Sequence, residues 1–245
     1  MLAWRDLLVR YKHAALGLGW SVLRPLLTMV VFVIVFGKVA KLPSDGLPYS
    51  LLVLSALLPW MLFANTLAVG ASSLIDNAAM LRRTYFPRLL IPTTSILIHL
   101  SDALLTGLAF IFLALFFGVG MDAHILLVPF LILHTGILTL GVVYFLSVLA
   151  VYWRDVIFIV PFMIQIGFFV SPIGYSTSLI PDEIRYVFYL NPMVGLIEVF
   201  RWSLLAGKVP VHWDAYLISL ILTTIIFTAG ICFFYKQDQN MADIL

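Results

Sequence analysis

The sequence predicts an all-α integral membrane protein with six transmembrane helices. Three observations lead there. Of 245 residues, 63% are hydrophobic and only 11% are charged, with a mean hydropathy of +1.10. A soluble domain carries about 25% charged residues, and a larger apolar core does not remove the need for a wettable surface. The apolar residues gather in uncharged runs, and a hydrocarbon core of about 30 Å takes about 20 such residues as a helix. The runs also lack the strict alternation of barrel strands. A formal charge of +2 is too small to suggest nucleic-acid binding. The single cysteine, Cys232, excludes an internal disulfide.

The first element, residues 1–18, reads as an amphipathic interface helix. Trp4, Leu7, Leu8 and Tyr11 fall on one side, while Arg5, Asp6, Lys12 and His13 lie elsewhere. No small-residue cleavage site follows an apolar region, so the segment is not expected to be a signal peptide. Pro25–Gly37 is a short first span that needs Arg24 and Lys38 to snorkel to opposite interfaces. The second run is Gly46–Ile75. The third joins Leu89–Ser101 to Ala103–Met121 across Asp102. Ile125–Trp153, Val156–Pro181 and Ala215–Tyr235 complete the set.

Lysine and arginine near helix ends set the orientation. With the N-terminus inside, Arg5, Arg10, Lys12, Arg24, Arg82, Arg83, Arg88, Arg154 and Lys236 fall on the cytoplasmic side, against Lys38, Lys41, Arg185, Arg201 and Lys208 outside. Both termini and the loop Asn77–Arg88 are therefore expected in the cytoplasm. Topology alone accounts for the arginines. It does not account for Leu81, Tyr85 and Phe86 beside them, and aromatics with arginine are enriched at protein interfaces. The loop reads as a docking surface as well as a topology signal.

Ser171–Gly207 is too long for a tight loop and too apolar for a solvated one. Pro172 and Gly174 break a helix; Pro181-Asp182-Glu183 starts one, with acids in its first turn. Asn191-Pro192 marks a second break and restart. Two short helices imply a re-entrant hairpin, tolerated at membrane depth only where protein or water covers its backbone. Glu198 and Arg201, three apart, can pair on one helix face. Simple surface helices with an exposed ion pair are the plainer alternative.

The ordered set "RDLLVRYKHAALGLGWSVLRPLL", "LLPWMLF", "NAAMLRRTYFPRLLIP", "VYWRDVIFIVPF", "SPIGYS" and "LNPMVGLIEVFRW" resembles, nearly end to end, the membrane subunit of type-2 ABC exporters for cell-surface polysaccharides such as O-antigen, capsule or teichoic acid. The resemblance implies one membrane domain over residues 1–245. It carries an interface helix at 1–18, a cytoplasmic coupling helix at 76–87 and outer gate helices at 175–207. It implies that Asp76, Asn77, Leu81, Arg82, Arg83, Tyr85 and Phe86 couple to an ATPase subunit. Arg5, Asp6, Arg10, Tyr11 and Lys12 belong to the interface helix, and Tyr175, Tyr186, Tyr189, Asn191, Pro192, Glu198 and Arg201 to the gate. The chain contains no G-x-x-x-x-G-K-[ST] phosphate loop. ATP and Mg are thus expected on a separate nucleotide-binding subunit, with no cofactor in this chain. Two copies of the chain would part under ATP-driven force to pass a lipid-linked polysaccharide across the bacterial inner membrane.

Aromatic rings suit a glycan path, because sugar C–H faces stack on them while the hydroxyls stay hydrated. Trp60, Phe63, Tyr144, Phe168 and Phe169 are candidate linings, against the background that membrane proteins place many aromatics toward lipid and its interfaces. A secondary transporter would show internal repeats and matched broken helices, and neither is evident. Asp102 and His99 are the costly intramembrane groups, read either as a packed pair or as a proton relay. A membrane enzyme would need convergent carboxylates, histidines or metal ligands; those on the outer side are scattered.

Overall fold

The computed structural model describes residues 19–44, 46–83 and 86–241, except the side chain of Arg83. The interface-helix residues Arg5, Asp6, Arg10, Tyr11 and Lys12, together with Tyr85, lie outside the described residues. Helices and connections make up the whole of what is described, without a strand. In chain order they are α1 (Gly19–Phe32, continuing as a wider helical turn over Val33–Val39), α2 (Tyr49–Asp76), α3 (Ala78–Arg83), α4 (Leu90–Phe116), α5 (Val128–Tyr152), α6 (Val156–Val170), α7 (Asp182–Tyr189), α8 (Pro192–Leu204) and α9 (Trp213–Met241).

Five stretches are long and apolar enough to cross a membrane: Gly19–Val39, Tyr49–Arg82, Leu90–Phe116, Ala123–Tyr152 and Trp213–Met241. The run expected as a span over Val156–Pro181 is different. Its helix, α6, has 15 residues, which rise only about 22 Å. Pro172 explains the stop. It disfavours helical geometry at the residue before it, and Ser171 is extended at φ −87°, ψ 143°.

The sequence places helix ends where local chemistry favours them. Proline occupies the first turn of α8, and Asn191 caps that turn by accepting the Met193 amide at 3.1 Å. Asp182 and Glu183 fill the first turn of α7. Pro25, inside α1, removes the amide that would bond the Ser21 carbonyl. Thr106 of α4 donates its hydroxyl to that carbonyl at 3.3 Å.

α2 forms the axis of the bundle, with Leu51 through Trp60 buried without a break. It packs against α1, α4, α5, α6 and α8. α9 lies along α5 and α8. Its approach to α5 is at backbone distance: a Cβ on Gly230 would sit 2.1 Å from the Gly141 carbonyl oxygen. Small residues permit such contacts between membrane helices, where dispersion rather than water exclusion drives association. The periphery is looser. α1 buries only Pro25 and Met29, and α6 only Val156 and Val160.

Candidate functional site

Two sites occupy opposite ends of the bundle. At one end α2 stops at Asp76, whose carboxylate accepts the Ser72 hydroxyl at 2.7 Å. Asn77 turns the chain and donates its side-chain amide to the Ser73 carbonyl at 2.8 Å. The six-residue α3 follows. It has two faces. Ala78 and Leu81 pack, with Phe86 and Leu89, on a core formed by Leu74, Tyr144, Val148 and Phe234. Ala79 and Arg82 are exposed. Leu81 and Phe86 are half-buried in the protein's own packing, and Asp76 is exposed beside Ala79 and Arg82. Arg88 turns inward. It donates to the Asp238 backbone carbonyl at 2.5 Å and to the Asp238 carboxylate at 3.0 Å.

At the other end the chain leaves α6 as an irregular strap, Ser171–Ser176, that is almost wholly buried. Buried irregular backbone needs partners for every carbonyl. Arg201 supplies two of them, from NH2 to Ile173 O and from NH1 to Tyr175 O, each at 2.8 Å. Its Nε reaches the Leu52 carbonyl on α2 at 3.2 Å. The Tyr49 hydroxyl donates to the carbonyl between these two, Gly174 O. Asn191 donates to the Ser171 hydroxyl at 3.0 Å. One guanidinium thus joins the strap, α2 and α8.

Glu198 has a separate set of partners. Its carboxylate accepts the Thr177 hydroxyl and the His212 amide, the latter at 3.2 Å, and lies 3.0 Å from His212 Nδ1. At 3% and 2% exposed, Glu198 and Arg201 are not the surface ion pair that their spacing suggests. They hold two different pieces of chain against α8. Nothing in the sequence pointed to Tyr49, Thr177 or His212. Each lies 14 or more residues from the group it meets, beyond the reach of helical periodicity.

The two tyrosines expected at the gate touch, with ring centroids 5.7 Å apart, but differ in exposure. Tyr186 is 67% exposed, whereas Tyr189 is buried against Val194 and Ala215 of its own subunit. Burial, with Asp214 and Glu198 nearby, pushes the Tyr189 phenol up to about 12, so it stays protonated. Only Tyr186 of the pair is free to meet something outside the subunit. Tyr175 is half-buried, with its hydroxyl donating to Val170 O at 3.2 Å.

The channel candidates also divide. Trp60 and Phe63 line an open cavity of about 600 Å³ between α2, α5 and α6, together with Ser171, Asn191 and Pro192. Phe168 stands at its edge, with ring centroids 5.8 Å from Trp60 and 5.5 Å from Phe32 of α1. Phe169 is exposed. Tyr144 does not line this cavity. It is buried between α4 and α9, 2.9 Å from the Thr93 hydroxyl and packed on Phe234. Asp102, midway along α4, accepts the Ser21 hydroxyl of α1 at 2.6 Å, and His99 Nδ1 lies 2.8 Å from the Ser95 carbonyl. Each has a partner on a neighbouring turn or helix.

The described residues form a multi-pass bundle with a short helix on the loop after its second long helix and two short helices before its last. A family model described as ABC-2 type transporter matches residues 1–205, and the chain belongs to that family. It is 30% identical, over 98% of its length and 92% of the relative's, to an O-antigen export system permease protein RfbA of Klebsiella pneumoniae. A second protein of that name from the same organism is 29% identical over the same shares. One from Myxococcus xanthus is 28% identical over 97% of this chain and 92% of its own. The chain is therefore a permease component, and its family implies an ABC ATPase as partner.

Proposed function

We propose that this chain exports a lipid-linked polysaccharide, O-antigen, across the bacterial inner membrane, as a homodimer bound to two nucleotide-binding subunits that hold ATP and Mg. The observation that carries the reading is the pairing of a cationic coupling segment at one end with an Arg201-braced hairpin at the other, in a chain similar throughout to O-antigen permeases. α6 and its irregular continuation make the sixth crossing. Arg88 and Lys236 lie at one end and Lys208 at the other, and the positive-inside bias puts the first of these ends, with both termini, in the cytoplasm. The exposed face of α3 meets the ATPase. Replacing Ala79 by Trp leaves the charge bias intact and is expected to cut copurification of the ATPase at least about tenfold, the scale of a lost interface contact of about 1.4 kcal/mol. Wild-type copurification would remove α3 as the docking element.

The glycan passes between two copies. α1 and α6 bury so few residues that they suit a face completed by a second subunit. Their seam is aromatic, with Phe36, Phe32, Phe168 and Phe169 in successive contact. Rings stack loosely on sugar faces and let a polymer slide. A cysteine in place of Phe169, in a chain whose Cys232 is replaced, is expected to crosslink two subunits in membranes. Membranes that yield no crosslinked dimer would overturn the interface path.

A further inference from the structure

Resting on the proposed function, the structure assigns α9 a mechanical role. It is the rod that carries movement of the coupling segment to the re-entrant hairpin, and Arg88–Asp238 is its joint. α9 has 29 residues, about 43 Å of rigid helix. Three features tie its far end to the hairpin. Ser219 donates to the Pro192 carbonyl at 2.6 Å. A Cβ on Gly195 of α8 would sit 2.3 Å from the Ala215 carbonyl, so the two backbones are in contact. His212, just before α9, lies 3.0 Å from Glu198 of α8. The near end is tied to the segment that follows α3. Arg88 makes its two bonds to Asp238, and the Tyr152 hydroxyl donates to Gln237 at 3.0 Å. Phe86 and Leu89 add apolar contact to the cluster containing Phe234 and Met241.

Arg88 is committed to α9. Topology needs only its charge, and docking needs an outward side chain. Its guanidinium instead clamps the last turns of a helix 150 residues away in sequence. A push on α3 then reaches α9 directly, and α9 cannot move without carrying Pro192 and Gly195. Arg88 is a positioning residue in this scheme, since it touches neither ATP nor glycan.

The test uses the permease with its ATPase in proteoliposomes, Cys232 replaced, and a cysteine at the exposed position Ser178 beside the hairpin. The rate of labelling by an impermeant thiol reagent is measured with and without ATP. Arg88→Gln is expected to keep the ATPase bound and hydrolysing while the ATP-dependent change in labelling falls about fivefold, the scale of one partly exposed ion pair. The exchange Arg88→Asp with Asp238→Arg keeps the net charge and is expected to restore the change. An unchanged response in Arg88→Gln overturns the proposal. So does loss of the ATPase, which would make Arg88 a docking residue, or an exchange that restores nothing, which would mark a packing defect. If the wild-type chain binds its ATPase but shows no response, α9 is not the link. If the wild-type chain binds no ATPase at all, the proposed function fails before the joint is tested.

Discussion

Replacing Arg201 by Met is expected to unseat the Ser171–Ser176 strap and abolish export. Met keeps most of the volume and removes the guanidinium. Ile173 O and Tyr175 O then lose their donors. A buried acceptor left unsatisfied costs about 1–3 kcal/mol, so the pair amounts to about 2–6 kcal/mol. Relief from burying a cation offsets part of this, because a charge inside a membrane protein is itself expensive. The bond to Leu52 O is lost as well, and with it the tie between strap and α2. Arg201→Lys is expected to be intermediate. An ammonium is a point charge on a flexible stem, whereas the guanidinium fork reaches three carbonyls on two elements at once. The measurements are the melting temperature of the purified permease and ion leakage from proteoliposomes. An Arg201→Met protein that melts like wild type and stays sealed would show that the strap does not depend on this side chain.

The long helices were legible because their determinants are local. Uncharged runs set length, and Pro92, Pro129 and the Asn191-Pro192 pair sit at or near helix starts. The restart at α8 and the acidic first turn of α7 were read correctly from a few residues each. α6 was only half legible. Hydropathy continues through Ile173, but Pro172 ends the helix and the strap that follows is apolar because it is buried in protein rather than in lipid. Glu198 and Arg201 mark the limit of periodicity. Their spacing suggests each other, yet geometry gives Glu198 to Thr177 and His212, and Arg201 to the strap. Such partners depend on which elements the bundle brings together. Tyr144 meets the same limit: a phenol can face a path or fill a core, and its packing against Phe234 comes from the fold rather than from local sequence.

Replacing Gly230 by Val is expected to force α5 and α9 apart. At this position α5 and α9 meet backbone to backbone. A Cβ on Gly230 would lie 2.1 Å from the Gly141 carbonyl oxygen, and one on Gly141 would lie 2.6 Å from the Phe227 Cα. Side-chain atoms can rotate away from an intruder, but a helical backbone cannot without breaking its own hydrogen bonds. The helices must separate. Overpacking of this kind costs about 1–3 kcal/mol where side chains can adjust and more where they cannot. A loss of about 3 kcal/mol corresponds to about 6–12 °C in melting temperature for a chain of this size. Separation would also carry α9 away from Tyr144 and Phe234's other neighbours, and would draw on the Ser219–Pro192 bond at the hairpin. Gly107→Ala is the control. A Cβ there meets only the Leu58 Cδ1 at 3.6 Å, an ordinary contact with a movable side chain, and a shift within about 2 °C is expected, as for substitutions costing under about 0.5 kcal/mol. If Gly230→Val melts with the control and supports normal export, the two helices are not in backbone contact at this point, and the rigidity that α9 needs to act as a rod has no basis there.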